Sequence, residues 1–304
     1  MQTQSSRPDP EEAGSPASVT VVTVLHNSSG VLPDFLQSVE LAAPRTHVDV
    51  VAVDNASSDA SASAEIVERH GGSFIASGSN AGYGAGINLG VRQAPGASRF
   101  VLISNPDVRF RDDAIDRLVD YAVSAPQDVA AFGPRILDAD GNVYPSARRL
   151  PSLRTGIGHA LFGKVFPTNP WTRRYRAEND YSDEPRFAEW LSGACLLMER
   201  SWFDRLGGFD ERYFMYFEDV DLGARIQSNG GRSAYVPVAV VQHEGAHSTS
   251  KSASQMIHAH HASAERYLRT KYAGAAWAPV RWALIGSLRV RSAFTARTAG
   301  TRAR

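Results

Sequence analysis

The sequence predicts an α/β fold, a doubly wound, mostly parallel sheet with helices on both faces and a helical C-terminal extension. Three observations predict it. Strand-like and helix-like runs alternate four times within about 110 residues, the pattern that builds a parallel sheet with covered faces. The strand-like runs are continuous and β-branched, as expected of strands buried on both sides. Each of three of them stops at a polar cluster: His26-Asn27, Asp54-Asn55 and Asn105-Pro106-Asp107.

Val19 to Leu25 is the first strand, and Leu32, Phe35, Leu36 and Val39 then recur at helical spacing to Leu41, entered through Pro33. Val48 to Val53 is the second strand, and Ser57-Ser58-Asp59 supplies capping residues for a helix over 60–70. A short third strand, 72–76, leads through the glycine-rich turn Asn80-Ala81-Gly82-Tyr83-Gly84-Ala85-Gly86 into a helix ending near Arg92. Phe100 to Ser104 is the fourth strand.

Beyond it the pattern loosens. Ala130 to Arg135 and Trp190 to Met198 read as strands, separated by an irregular excursion over 138–187. Phe217 to Asn229 reads as a helix stopped by Gly230-Gly231, with Asp221 and Arg225 paired four residues apart. Ala234–Pro237 and Val240–His243 are two short strands, and 253–272 is a helix. The expected division is a disordered leader over 1–17, rich in Ser, Pro, Glu and Gln, an α/β domain over 18–250, and a helical, basic extension over 251–304.

Lysine plus arginine balances aspartate plus glutamate at 32 each, so no overall field favours nucleic acid. The balance hides a basic end, with six arginines and no acid from Trp277 onward. There Trp277 and Trp282 interleave with Arg281, Leu284, Ile285, Leu288, Arg289 and Val290, as in a helix lying on an anionic membrane surface; an ordinary packing helix has the same composition. No run of about 18 apolar residues predicts a membrane span, and no secretory signal opens the chain. The expected location is therefore cytoplasmic, peripheral at the inner face of the plasma membrane; a homo-oligomer stays open. The single cysteine, Cys195, sits in an apolar run and reads as a buried structural thiol.

Ligands of open α/β sheets bind beyond the carboxyl ends of the strands. Asp54 is placed there to accept hydrogen bonds from a base or a ribose, although Asp-Asn-Ala-Ser is also good turn chemistry. Asn105 and Asp107 could face a divalent ion held between carboxylate and phosphate, Mg2+ or Mn2+, and His243 ends a strand as a further ligand. The Gly82–Gly86 turn fits the dinucleotide fingerprint poorly, since it follows the third strand, which argues against a nicotinamide cofactor. It still lets backbone approach a diphosphate. Glu218-Asp219-Val220-Asp221 opens a helix, where carboxylates favour the dipole. It also follows Tyr213-Phe214-Met215-Tyr216-Phe217, and burial beside aromatics makes a carboxylate a better base. His243, His247, His258, His260 and His261 crowd one stretch without a His-Glu-x-x-His pattern, so a zinc protease is not expected.

In this order, His26-Asn27, Asp54 to Asp59, Asn80 to Asn88, Asn105 to Asp107, Trp190 to Ala194, Gly207 to Glu211 and Phe214 to Leu222 resemble the inverting GT-A glycosyltransferases of family 2. More narrowly, Tyr144-Pro145-Ser146-Ala147-Arg148, Asn169-Pro170-Trp171-Thr172, Tyr213 to Tyr216 and Ala246-His247-Ser248-Thr249 resemble bacterial rhamnosyltransferases of the mycobacterial type, which act on N-acetylglucosaminyl-diphospho-polyprenol. The resemblance implies donor contacts at His26, Asn27, Asp54, Asn55, Asn80, Gly82, Tyr83, Gly84, Asn88 and Asn105. It implies acceptor contacts at Trp190, Ser192, Gly193, Gly208 and Phe209. Asp107 matches the last acid of the family's Asp-x-Asp motif and His243 its distant histidine, while Asn105 stands where an acid is usual. Asp219 is implied as the base, with Glu218 its rival.

What the resemblance implies is a single displacement moving L-rhamnose from dTDP-rhamnose to a polyprenyl-diphosphate-linked N-acetylglucosamine, in arabinogalactan linker synthesis. Three other readings stand beside it. One is transfer of galactofuranose or N-acetylglucosamine to another envelope glycan. A nucleotidyltransferase needs a triphosphate loop that the first strand lacks. A sugar-nucleotide-binding scaffold does not need the Glu218-Asp219 pair.

Overall fold

The computed structural model describes residues 17–95, 98–151, 183–245 and 253–289. Residues 1–16, the motifs at 169–172 and 246–249, and the arginines from Arg291 onward lie outside them.

Strand β1 (Ser18–Leu25) lies inside the sheet, parallel to β2 (His47–Asp54) on one side and to β4 (Phe100–Ser104) on the other. That central place is why its β-branched run is buried throughout. Val19, Val21 and Leu25 face one apolar layer, and Val22 and Val24 face the other, as the period of two requires. β3 (Ser73–Ala76) extends the parallel half beside β2. Helices α1 (Leu32–Ala42), α2 (Ala60–Arg69) and α3 (Tyr83–Gln93) connect these strands. Pro33 stands in the first turn of α1, as expected, and Leu32, Phe35, Leu36 and Val39 are all buried.

The second half contributes β5 (Val108–Phe110), α4 (Ala114–Ser124), β6 (Val129–Leu137), β7 (Ala147–Arg148), β8 (Arg186–Ala188), β9 (Trp190–Leu191) and β10 (Cys195–Glu199). It continues with α5 (Arg200–Leu206), α6 (Glu218–Ser228), β11 (Arg232–His243), α7 (Ala253–Lys271) and a final helix, α8, over 278–289. The main sheet runs β3-β2-β1-β4-β10-β6-β11-β5, with β8 also beside β11. β10 enters antiparallel between β4 and β6, so the sheet is mixed although most of its strands share one direction. Cys195 is buried in β10, where burial pushes its thiol pKa up.

Three expectations need correction, and one segment left unassigned is regular. The run from Trp190 to Met198 is two strands, because Ser192-Gly193-Ala194 turns away from the ladder to meet other parts of the chain. The two short strands after Ala234 are one, β11, carrying a register shift between Val236 and Val240. Asp59 precedes α2 without capping it; its Oδ2 accepts the Ser29 N–H at 2.9 Å instead, tying the first two strand-end loops together. The segment 108–124 forms β5 and α4, and α4 is fastened by the buried Asp116, which accepts from Thr46 Oγ1 at 2.6 Å and Arg45 N at 3.1 Å. The expected Asp221–Arg225 pair forms, with Nε 2.7 Å from Oδ2.

Candidate active site

Three strand-end loops meet above β1 and β2. Asp54 closes β2 and is only 2% exposed. Its Oδ2 accepts the Ser57 N–H at 3.0 Å, while the buried Oδ1 has no protein partner. A buried carboxylate oxygen without a donor is costly, so this atom suits a ligand N–H or hydroxyl. His26 Nδ1 lies 3.1 Å from the Asn55 carbonyl, and Asn27, at φ 55°, accepts from Ser58 N at 2.9 Å. Asn55 Nδ2 donates to the Gly82 carbonyl at 2.9 Å and lies 3.5 Å from Asn80 Oδ1. His26, Asn27, Asn55 and Asn80 therefore knit the rim together.

The glycine turn fits against the aromatic loop before α6. Tyr83 N donates to the Phe214 carbonyl at 2.9 Å, and a Cβ on Gly82 would stand 2.2 Å from that oxygen. A Cβ on Gly84 would press on Phe209 at 2.8 Å. Asn88 is turned into the protein: its amide donates to the Phe209 carbonyl at 2.9 Å and its Oδ1 accepts from Phe209 N at 2.9 Å. Gly208, at φ 69°, has that Oδ1 where a Cβ would sit, and Phe209 is buried in the core. Asn88, Gly208 and Phe209 thus hold one another rather than line an open cleft.

Helix α6 presents the acid pair. Tyr216 and Phe217 precede it with φ of 68° and 67°, a left-handed conformation costing an L-residue roughly 1–2 kcal/mol each. Glu218 is buried, and its Oε2 has no partner. Burial, then the charge of Asp219, pushes the Glu218 carboxyl up to about 8. Asp219 is raised too, by burial, but it accepts the Gly193 N–H at 3.1 Å and the Val220 N–H at 2.8 Å, and Arg148 attracts its charge. Both carboxyls thus hold a proton more readily than free ones, while the two backbone N–H donors and Arg148 favour charge on Asp219 and the Glu218 Oε2 has no donor.

Gly193 is the pivot of this arrangement, since its carbonyl also accepts the Tyr83 hydroxyl at 2.8 Å. Ser192 N donates to the Ser146 carbonyl at 2.8 Å. Arg148 stands opposite Trp190 in the β7–β9 ladder, its guanidinium 5.5 Å from the Trp190 ring and 5.5 Å from the Tyr144 ring. Sequence reasoning gave Arg148 no role in the site, though Ser146-Ala147-Arg148-Arg149 was its visible signal. Further along, Asp107 Oδ1 lies 3.1 Å from His243 Nε2, and Asn105 Nδ2 lies 3.3 Å from the same nitrogen. Carboxylate and imidazole converge as an oxygen–nitrogen pair fit for a divalent ion whose remaining ligands come from phosphate and water. Among the described residues no third His, Cys, Asp or Glu joins them.

An acid pair at a helix start, an orphaned acid at the end of β2 and a carboxylate–imidazole pair beyond β4 now lie along one edge. The model of the family described as glycosyltransferase like family 2 matches residues 16–259. The chain belongs to the family 2 glycosyltransferases. This family 2 enzyme is 42% identical over 294 residues to the N-acetylglucosaminyl-diphospho-decaprenol L-rhamnosyltransferase of Mycobacterium tuberculosis, covering 93% of this chain and 94% of that one. It is 28% identical over 261 residues to the rhamnosyltransferase WbbL of Escherichia coli, covering 83% and 93%. Among solved structures it resembles the mannosyltransferase PcManGT of Pyrobaculum calidifontis in complex with GDP-Man and Mn2+, with a TM-score of 0.59 at 17% identity over 96% of this chain and 72% of that one. The fold is GT-A, as the motif order implies.

Proposed function

We propose that this glycosyltransferase moves L-rhamnose from dTDP-rhamnose, with inversion, to N-acetylglucosamine carried on a polyprenyl diphosphate, in synthesis of the cell-wall arabinogalactan linker. The observation that carries this reading is the 42% identity to the mycobacterial enzyme along nearly the whole of both chains. Asp54 Oδ1 receives the donor's base, and the Asn80–Tyr83 turn lies against its diphosphate. Asp219, whose charged form is favoured by the Gly193 and Val220 N–H groups, takes the proton of the acceptor's 3-hydroxyl. That oxygen forms the bond to the anomeric carbon as the carbon–oxygen bond to dTDP breaks on the opposite face, giving an α-rhamnoside. One base suffices, unlike the two carboxylates of a hydrolase. Asp107 and His243 would hold Mg2+ or Mn2+, which when bound offsets charge on the departing diphosphate. The mannosyltransferase of the same fold, in complex with GDP-Man and Mn2+, supports a divalent ion. Asn105 supplies no charge there, so weak, readily chelated metal binding is expected.

The experiment is transfer from labelled dTDP-rhamnose to a short polyprenyl-diphospho-N-acetylglucosamine, with and without Mg2+ or Mn2+. UDP-galactofuranose and UDP-N-acetylglucosamine serve as rival donors. Rhamnose transfer that stops on chelation is expected; preference for either rival donor would replace the rhamnose assignment.

A lipid-borne acceptor supports a peripheral position at the cytoplasmic, inner face of the plasma membrane. Among the described residues no helix is long and apolar enough to cross one. Around α8, Trp277 and Trp282 are 48% and 71% exposed, and they are the proposed interfacial contacts. Two of the basic residues are engaged within the extension instead: Arg281 donates to the Tyr272 and Ala273 carbonyls and Arg289 pairs with Glu265 at 2.8 Å. Replacing both tryptophans with Ser should reduce sedimentation with anionic vesicles severalfold, and unchanged sedimentation removes them from that role.

A further inference from the structure

We propose that α7 is a positioning clamp for the acid pair, in which Ser263, Tyr267 and His260 hold the left-handed Tyr216–Phe217 turn that aims Glu218 and Asp219. The inference rests on reading that pair as the reactive acids of the site. Two consecutive aromatic residues have no intrinsic preference for positive φ, so the surroundings must impose it.

One stripe of α7 does so. Ser263, 4% exposed, donates from Oγ to the Met215 carbonyl at 2.8 Å, immediately before the turn. The His260 ring stands 5.4 Å from both the Tyr216 and the Phe217 rings, edge-on to each. The Tyr267 ring lies 5.6 Å from that of Phe217 and forms a separate buried cluster with Tyr213 and Val220. Residues 260, 263 and 267 share one helix face through their spacing of three and four. The loop's other side is held by the donor turn, through Tyr83 N and the Phe214 carbonyl. The loop is thus gripped between the donor turn and the C-terminal extension.

α7 is in turn braced by α8. Glu265 pairs with both Arg269 and Arg289, and Arg281 reaches the carbonyls at the end of α7. The extension therefore completes the active site rather than trailing from it.

The test uses the full chain with Ser263→Ala, His260→Ala and the double variant, and His260→Phe as the ring-preserving control. Hydrogen exchange of the 213–221 peptide should rise about tenfold in the double variant. The rate constant kcat should fall about tenfold with the donor KM within about twofold, since a small misplacement of a reacting group suffices for that loss. His260→Phe should restore both readouts. Unchanged exchange at 213–221 would overturn the clamp, and so would a loss of protection spread equally over β1 to β4. If the wild type moves no rhamnose, the donor assignment falls, while the exchange pattern still decides the clamp.

Discussion

Asp219→Asn is expected to lower kcat by about 10³-fold, within the range general-base catalysis supplies, while dTDP-rhamnose binding is retained. The amide occupies the same volume and keeps one oxygen, so one of the Gly193 and Val220 N–H bonds survives and the other is lost against its NH2. What disappears is the acceptor for the proton. Glu218 is not expected to replace it, because burial and then the neighbouring charge push its carboxyl up to about 8, toward the protonated form. Glu218→Gln copies that protonated form and should retain most turnover at pH 7. It should also change the pH dependence of stability. A folded carboxyl with a raised pKa binds its proton more tightly than the unfolded chain does. Its contribution is therefore present at low pH and is lost as pH rises from the ordinary glutamate range through about 8. The wild type should lose stability across that window, and Glu218→Gln should flatten the slope. Donor affinity and kcat of the two variants check the assignment; near-normal turnover by Asp219→Asn removes Asp219 from the role.

Gly82→Ala should be the most damaging small substitution in the donor turn. Gly82 has φ 99° and ψ 174°, a region costing an L-residue on the order of 1–3 kcal/mol. Its Cβ would stand 2.2 Å from the Phe214 oxygen and 2.8 Å from the Phe214 carbon and Cα, all backbone atoms that cannot rotate aside. Relief requires parting the donor turn from the aromatic loop, which breaks the Tyr83 N–H bond to Phe214 and releases the approach to Asp219. A loss of at least about 3 kcal/mol of stability and of about 100-fold in kcat is expected. Gly30→Ala is the control, since nothing lies within 4 Å of its added methyl. Thermal unfolding and steady-state rates distinguish the two; a Gly82→Ala enzyme with wild-type Tm and kcat contradicts the close approach.

The parallel half was legible chiefly through β1 and β4, which are buried on both faces, a place that continuous apolar, β-branched runs satisfy. Their ends exposed Asp54, Asn105 and Asp107 as site candidates by position alone. The break at Ser192-Gly193-Ala194 was hidden, because the apolar run continues through it and the cause is tertiary: Gly193 serves Asp219 and Tyr83 at once. α4 carried a readable signal in Ile115, Leu118, Val119 and Ala122, but it begins at Asp113 in a left-handed conformation that composition does not announce. Arg148 was hidden for a related reason, since the β7–β9 ladder that sets it beside Trp190 is two residues long. Asn88 shows the opposite case, a motif residue whose amide is bonded to Phe209 and Glu211 within the protein.

The proposed chemistry is a single displacement at the anomeric carbon, with Asp219 as base. Its most direct measurement is the anomeric configuration, by NMR, of the product that the wild-type enzyme forms from dTDP-β-L-rhamnose and polyprenyl-diphospho-N-acetylglucosamine. An α-linked rhamnoside on the N-acetylglucosamine is expected. A β-linked product, or free rhamnose in place of a transferred one, would contradict it.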